Sequence, residues 1–340
     1  MIYHMVALAV KPASEGKVML DLSISIVSYN TRDLLKQCLE SIHNETRDIT
    51  FETFVVDNAS TDETVEIIRR DFPSVKLIAN RENRGFAAAN NQAIKESKGR
   101  YVVLLNPDTV ILDSCLDRLV NFMDSHFEAG VVGPQILNPD GTRQFSYDQG
   151  ISLKSNFKAR LLIIPRFVLG PLKRFKIHFT TSKGTQSVPD IKEVGRVRGC
   201  CFLARRDAID QVGLMDERFF LYCEEVDWAY RMRKAGWKIY FYPFAYIIHN
   251  WGQSTIQVAD WSFITHHKSD YKYFKKHYGN YAVFLARGMF LIDAVFGSLK
   301  LSKDLLLARI SQKEAKHRFK LYWKVVWIRY EDNQDAGNAT

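Results

Sequence analysis

The chain has 340 residues, 46% hydrophobic and 25% charged, with a formal net charge of +9. That composition excludes a disordered or fibrous chain, and the length suits one large domain or two modest ones. Five cysteines (Cys38, Cys115, Cys200, Cys201, Cys223) form no CxxC spacing, which argues against a disulfide framework or a structural zinc site and fits a reducing compartment.

Residues 1–20 read as an N-terminal extension. Its first ten residues are apolar but short, with no leading positive charge and no small-residue cleavage site, so they do not form a signal-peptide pattern. Residues 22–27 predict a strand, followed by a helix over 32–43 capped by Thr31. Residues 54–57 predict a second strand. Ser60 and Glu63 have capping-box spacing ahead of a helix that stops near Pro73. Residues 75–78 predict a third strand, 85–97 an Ala-rich helix, and 101–105 a strand apolar enough to be buried on both faces. Alternation at this spacing predicts an α/β fold with a mostly parallel, doubly wound sheet, whose ligands bind at the carboxyl ends of the strands. Ser28-Tyr29-Asn30, Asp57-Asn58-Ala59-Ser60 and Asn106-Pro107-Asp108-Thr109 stand at three such ends.

Farther on, residues 138–141 read as a turn and 150–190 as a basic, Pro-containing insertion. Residues 199–204 predict a strand, 224–235 a helix ended by Gly236, and 238–242 a strand with His249 shortly beyond it. Residues 261–330 read as a helical, basic C-terminal region, and 331–340 as a disordered tail. The apolar stretch 282–299 is interrupted by Arg287 and Asp293 and makes a poor membrane span.

The positive charge is local. Residues 154–183 hold eight Lys/Arg and no acid, and 300–329 hold nine against Asp304 and Glu314, which leaves the remainder net acidic. Nucleic acid, an anionic membrane face or a phosphorylated substrate would each explain such patches. No nucleic-acid-binding motif accompanies them, so nucleic acid is disfavoured. No G-x-G-x-x-G follows the first strand, which disfavours a nicotinamide-dependent dehydrogenase.

Six stretches in unbroken order over residues 22–252 carry a resemblance: Ser23 to Asn30, Val55 to Asp62, Asn83 to Asn90, Leu104 to Thr109, Gly199 to Leu203, and Phe219 to Arg231. They resemble glycosyltransferase family 2, the inverting nucleotide-sugar transferases of GT-A fold, and within it the bacterial rhamnosyltransferase-type enzymes of surface polysaccharide assembly. The resemblance implies a GT-A catalytic domain over 21–260. It also implies a divalent metal, Mn2+ or Mg2+, on the donor diphosphate. The family's Asp-x-Asp matches Asn106, Pro107 and Asp108, so Asp108 is the firm charged ligand and Asn106 touches the donor. Some relatives place a histidine at the His249 position on the metal.

The same matching puts the general base at Glu225, where many relatives have Asp, with Glu224 as the alternative. Crowded carboxylates at a helix start beside aromatic surface raise one another's proton affinity. Asp57 matches the residue that hydrogen-bonds the nucleotide base. Ser28 and Asn30 would line the base and ribose pocket, and Arg84 would meet the diphosphate. Asp227 and Arg231, four apart on one helical face, are expected to pair in a structural or phosphate-orienting role. The implied donor is dTDP-rhamnose, with a UDP-sugar as alternative. The implied acceptor is polyprenyl-diphosphate-linked or a glycan, with a soluble acceptor as alternative. The location is cytoplasmic, at the inner membrane face, through the patches at 154–183 and 300–329. A homodimer is compatible with the sequence, and a non-catalytic nucleotide-sugar-binding protein is the competing class.

Overall fold

The computed structural model describes residues 20–150, 190–250 and 259–330. Most of the N-terminal extension, nearly all of the basic insertion with its 154–183 patch, and the 331–340 tail lie outside these residues.

β1 (Leu22–Ser28), β2 (Phe51–Asp57) and β3 (Lys76–Ala79) alternate with α1 (Arg32–Glu45) and α2 (Thr64–Asp71), and α3 (Phe86–Glu96) leads into β4 (Tyr101–Leu105). Then come β5 (Thr109–Leu112), α4 (Cys115–Ser125), β6 (Ala129–Leu137), β7 (Tyr147–Asp148), β8 (Lys192–Glu193), β9 (Arg196–Val197), β10 (Cys201–Arg205), α5 (Arg206–Val212), α6 (Glu224–Lys234) and β11 (Lys238–His249). α7 (Ala259–Leu306) and α8 (Gln312–Trp327) complete the chain.

One nine-stranded sheet runs in the order β3-β2-β1-β4-β10-β6-β11-β5, with β8 on β11. β3, β2, β1 and β4 are parallel, as are β6 and β11; β10 runs antiparallel between β4 and β6. The period of two along β1 sorts its faces. Leu22, Ile24 and Ile26 join the core under α1, α2 and α4, while Ser25 on the other face donates to Asn90 of α3 at 2.8 Å. Val102 and Leu104 of β4 face the second core, built with α3, α5 and α6 around Trp228. Helices thus cover both faces, as the alternating pattern predicts.

Two predicted caps form differently. Glu63 has φ 64° and stands outside α2, so no Ser60–Glu63 capping box exists; Ser60 Oγ instead accepts the Asn30 N–H at 2.9 Å. Thr31 does not cap α1, because its hydroxyl pairs with Ser28 Oγ at 2.9 Å. Asp62 serves both helix starts, accepting from Arg32 N–H at 2.9 Å and Thr64 N–H at 3.3 Å. A single carboxylate is stabilised by two N-terminal dipoles at once.

The C-terminal region is a helical hairpin against α6. Phe219, Cys223 and Val226 share a core with Tyr271, Tyr273 and Phe274 of α7 and Val325 and Val326 of α8. Tyr322 packs against Gly297, and Trp323 Nε1 donates to Ser298 Oγ at 3.2 Å, so these two aromatics face α7, while Phe319 and Trp327 are exposed. α7 breaks at Gly279, whose φ of 78° and ψ of −170° leave the helical region.

The hairpin is locked to α6 by Asp227. This fully buried carboxylate meets Arg231 Nε at 2.8 Å, Lys276 Nζ at 2.6 Å and His277 Nε2 at 2.7 Å. Arg231 also donates to the Val212 and Leu214 carbonyls, which gives the Asp227–Arg231 pair a structural role. Burial alone would raise the Asp227 carboxyl, but the hydrogen bonds from His277 and Lys276 hold it below the usual carboxylate range. Removing one partner of a buried ion cluster costs about 3–5 kcal/mol. Asp227→Asn should therefore lower the melting temperature by roughly 6–15 °C, read by calorimetry at neutral pH. The gap to wild type should narrow as acid protonates Asp227 in both states of the wild-type protein.

Candidate active site

The carboxyl ends of β1, β2 and β4 form one rim. Parallel pairing sets Ser28 beside Asp57. Asp57 is buried; its Oδ2 accepts the Ser60 N–H at 3.0 Å, while Oδ1 has no hydrogen-bond partner. Burial raises its carboxyl above the ordinary value despite the Ser60 bonds. Asn30 adopts φ 52° and its Oδ1 accepts from Thr61 N–H at 2.8 Å, which ties the two loops together. Ser28 is fully buried with its hydroxyl on Thr31, so it braces this rim from beneath. Arg84 is exposed at the start of α3.

The Asn106-Pro107-Asp108-Thr109 segment is a turn, closed by the Thr109 hydroxyl on the Asn106 carbonyl at 2.7 Å. It leads into β5, whose antiparallel register on β11 sets His249 opposite Thr109. Asn250 N–H then bonds the Asp108 carbonyl at 2.9 Å. The buried Asp108 Oδ1, which has no hydrogen-bond partner, lies 3.4 Å from His249 Nε2. Gln144 fixes the ring: its Nε2 donates to the His249 carbonyl at 2.8 Å, and its Oε1 is 3.2 Å from Nδ1. An amide oxygen only accepts, so Nδ1 carries a proton and Nε2 is the ring atom turned toward the carboxylate oxygen. A carboxylate oxygen beside an imidazole nitrogen is a donor set that suits a divalent cation. No three His, Cys, Asp or Glu side chains cluster among the described residues. A cation here would complete its shell with phosphate oxygens and water, as Mg2+-like ions do.

The acidic start of α6 forms the other part of the candidate site. Tyr222 and Cys223 before it both have positive φ, 69° and 65°, at a cost of about 1–3 kcal/mol each. The surroundings hold this loop. The Phe220 carbonyl accepts Phe86 N–H at 2.7 Å, an approach open only because Gly85 has no side chain; a Cβ there would lie 2.5 Å from that oxygen. From α7, Ser269 Oγ donates to the Leu221 carbonyl at 2.8 Å. Glu224 points into protein, with Oε2 unpartnered. Glu225 stays partly open and pairs with Arg196 Nη1 at 3.5 Å, and Arg196 is anchored in turn on Asp148 at 2.8 Å.

The two halves meet at residues 198–200. A Cβ on Gly199 would sit 3.1 Å from Glu225 Cγ, and the Cys200 carbonyl accepts the Asn106 N–H at 3.0 Å. Residues 199 and 200 thus touch both the Glu225 side chain and the turn that carries Asp108.

The family model of glycosyl transferase family 2 matches residues 23–213. The chain belongs to glycosyltransferase family 2. An N-acetylglucosaminyl-diphospho-decaprenol L-rhamnosyltransferase of Mycobacterium tuberculosis is 30% identical over 261 residues, 74% of this chain and 82% of that protein. A UDP-Glc:α-D-GlcNAc-diphosphoundecaprenol β-1,3-glucosyltransferase of Escherichia coli is 33% identical over 104 residues, 30% of this chain and 41% of that one. Among solved structures, a Pyrobaculum calidifontis mannosyltransferase in complex with GDP-Man and Mn2+ aligns with TM-score 0.52 at 15% identity, covering 91% of this chain and 86% of that one. The fold is GT-A, and this family 2 member is a rhamnosyltransferase-like hexosyltransferase.

Several residues of the candidate site escape sequence reasoning. Gln144, Asp148, Arg196 and Ser269 carry no motif. Each acts through a partner at least 29 residues away in the chain, so no local spacing signals it.

Burial, and then the nearby Glu225 carboxylate, push the Glu224 carboxyl well above its ordinary 4.5. The folded state thus favours protonated Glu224, a contribution present below that value and lost as pH rises toward the raised one. Glu224→Gln should match wild-type stability below about pH 4.5 and exceed it progressively as pH rises above that value. Melting curves across that range would show a constant offset if Glu224 ionises as a free carboxyl does.

Proposed function

We propose that the protein transfers a sugar, rhamnose from dTDP-rhamnose, to a hydroxyl of a polyprenyl-diphosphate-linked acceptor in cell-surface glycan synthesis. The observation that carries this reading is the buried, unpartnered Asp108 oxygen facing His249. The names of the mycobacterial and Escherichia coli relatives support the lipid-linked acceptor.

Asp57 Oδ1 accepts the imide N–H shared by thymine and uracil, with Asn30 at the lip of the pocket. Arg84, beside the N-terminus of α3, meets the diphosphate where the helix dipole also favours an anion, and Asn106 borders the donor. Asp108 and His249 would hold a divalent cation, Mn2+ or Mg2+, which would supply positive charge to the leaving diphosphate. The acceptor hydroxyl yields its proton to Glu225 as its oxygen bonds the anomeric carbon. The bond from that carbon to the diphosphate breaks, and its electron pair leaves on the phosphate oxygen. Attack opposite the leaving group inverts the centre. Glu224, protonated in its buried setting, serves as a hydrogen-bond donor rather than as the base.

The α7–α8 hairpin suits peripheral contact with an anionic membrane on the cytoplasmic side. Beyond Gly279, Tyr281, Phe284, Leu291, Val295, Leu299 and Leu306 are exposed at helical spacing along one stripe. α7 holds an apolar stretch long enough to cross a bilayer, one third of it buried. It lies alongside the charged, 16-residue α8, so the pair fits the plane of the interface better than a span. The Lys and Arg residues of 300–329 border the stripe, each worth about 1 kcal/mol near anionic lipid.

Melting curves with a panel of nucleotide sugars and Mn2+ or Mg2+ should single out dTDP-rhamnose by the largest stabilisation; a larger shift with a UDP-sugar would reassign the donor. Asp108→Ala should abolish turnover and the metal-dependent part of the shift. Glu225→Gln should cut turnover by roughly 10²–10⁴-fold while donor binding persists. Retained turnover in either variant would remove the assigned role. The protein should also sediment with phosphatidylglycerol vesicles at low salt, less so after Phe284→Asp with Leu291→Asp, and no sedimentation at low salt refutes the membrane contact.

A further inference from the structure

Arg198 stands on the 198–200 segment that joins the two halves of the cleft, and nothing above uses its charge. Its N–H donates to the Ser146 carbonyl at 3.1 Å, and its guanidinium lies 4.9 Å from the centroid of Phe145. It precedes Gly199, which touches Glu225, and stands two positions before Cys200, which bonds the turn carrying Asp108. The carboxylates that could neutralise it, Asp148 and Glu225, are both held by Arg196. Among the described residues Arg198 has no ion-pair partner within 4.0 Å; its one recorded side-chain contact is the Phe145 ring. The side chain is exposed, and the neighbouring Arg196 cation opposes its charge while Asp148 and Glu225 favour it, so its guanidinium is open to an arriving anion.

A ring-stacked guanidinium with unused N–H groups matches phosphate oxygens in both charge and fork geometry. We propose that Arg198 binds a diphosphate at the mouth of the cleft, either that of the lipid-linked acceptor or that of the nucleotide sugar. The inference rests on the transferase reading for its substrates. Its geometry favours the acceptor, because Arg198 stands beside Glu225, and a diphosphate on the acceptor sugar is carried into the cleft with the hydroxyl that Glu225 deprotonates. Arg84, just ahead of α3, is assigned above to the donor side.

The test is a pair of calorimetric titrations of wild type, Arg198→Gln and Arg198→Lys with geranyl diphosphate and with dTDP, each with Mn2+ present. Binding needs no turnover, so the outcome stands even if the transferase reading fails, and absent transfer by the wild-type protein would register that failure separately. Arg198→Gln should weaken one ligand by roughly 10- to 100-fold, the range for a hydrogen bond to a charged group, and Arg198→Lys should recover part of the loss. Loss confined to geranyl diphosphate assigns the acceptor diphosphate. Loss confined to dTDP assigns the donor. Dissociation constants within twofold of wild type for both ligands overturn the proposal. A melting temperature unchanged in Arg198→Gln excludes unfolding as the cause, and where it falls, Arg198→Lys alone is compared with wild type.

Discussion

The buried Asp227 carboxylate constrains this molecule more than any other single group. Three cationic or titratable side chains converge on it from α6 and α7, and a carboxylate taken out of water is tolerable only when so surrounded. That requirement fixes the angle between the helix bearing Glu224 and Glu225 and the C-terminal hairpin. It also keeps Ser269 over the Leu221 carbonyl, so the hairpin helps hold the strained turn at Tyr222 and Cys223. A segment that lies outside the sequence resemblance thereby becomes part of the support for the chemistry.

A second constraint crosses the cleft. Residues 144–148 brace both sides of it, Gln144 orienting His249 and Asp148 anchoring the Arg196 that meets Glu225. Preorganisation of this kind matters because a reacting group displaced by about 1 Å loses much of its effect. Six buried side-chain oxygens among the described residues lack a hydrogen-bond partner, and three of them, on Asp57, Asp108 and Glu224, belong to the site. Folded proteins usually pair such atoms, so their recurrence on Asp57, Asp108 and Glu224 sets the candidate site apart.

The fold was largely legible where hydrophobic period and strand-end polarity coincide. β1, β2, α3 and β4 follow directly from their patterns, and Asp57 and Asp108 stand at the strand ends where open α/β sheets bind ligands. β5, α4 and β6 went unread. β6 is a mostly apolar run broken by Gly130, Gly133, Pro134 and Gln135, with no alternation to mark it, and it is buried because it lies between β10 and β11. β11 extends past the predicted end at Tyr242 because the sheet absorbs Pro243 as a register shift between Tyr242 and Tyr246. The helix caps were misread for a different reason: Asp62 reaches two helices that meet only in space. Arg196 and Gln144 stayed invisible because an ion pair across 29 positions and a ring-orienting amide across 105 leave no local spacing.

The break at Gly279 separates two duties that a continuous helix would fuse. The preceding turns of α7 belong to the catalytic body through Ser269 and Lys276, and the following turns carry the oily stripe. A joint of one residue lets the stripe be lengthened, shortened or re-aimed in evolution without disturbing the geometry at Glu225.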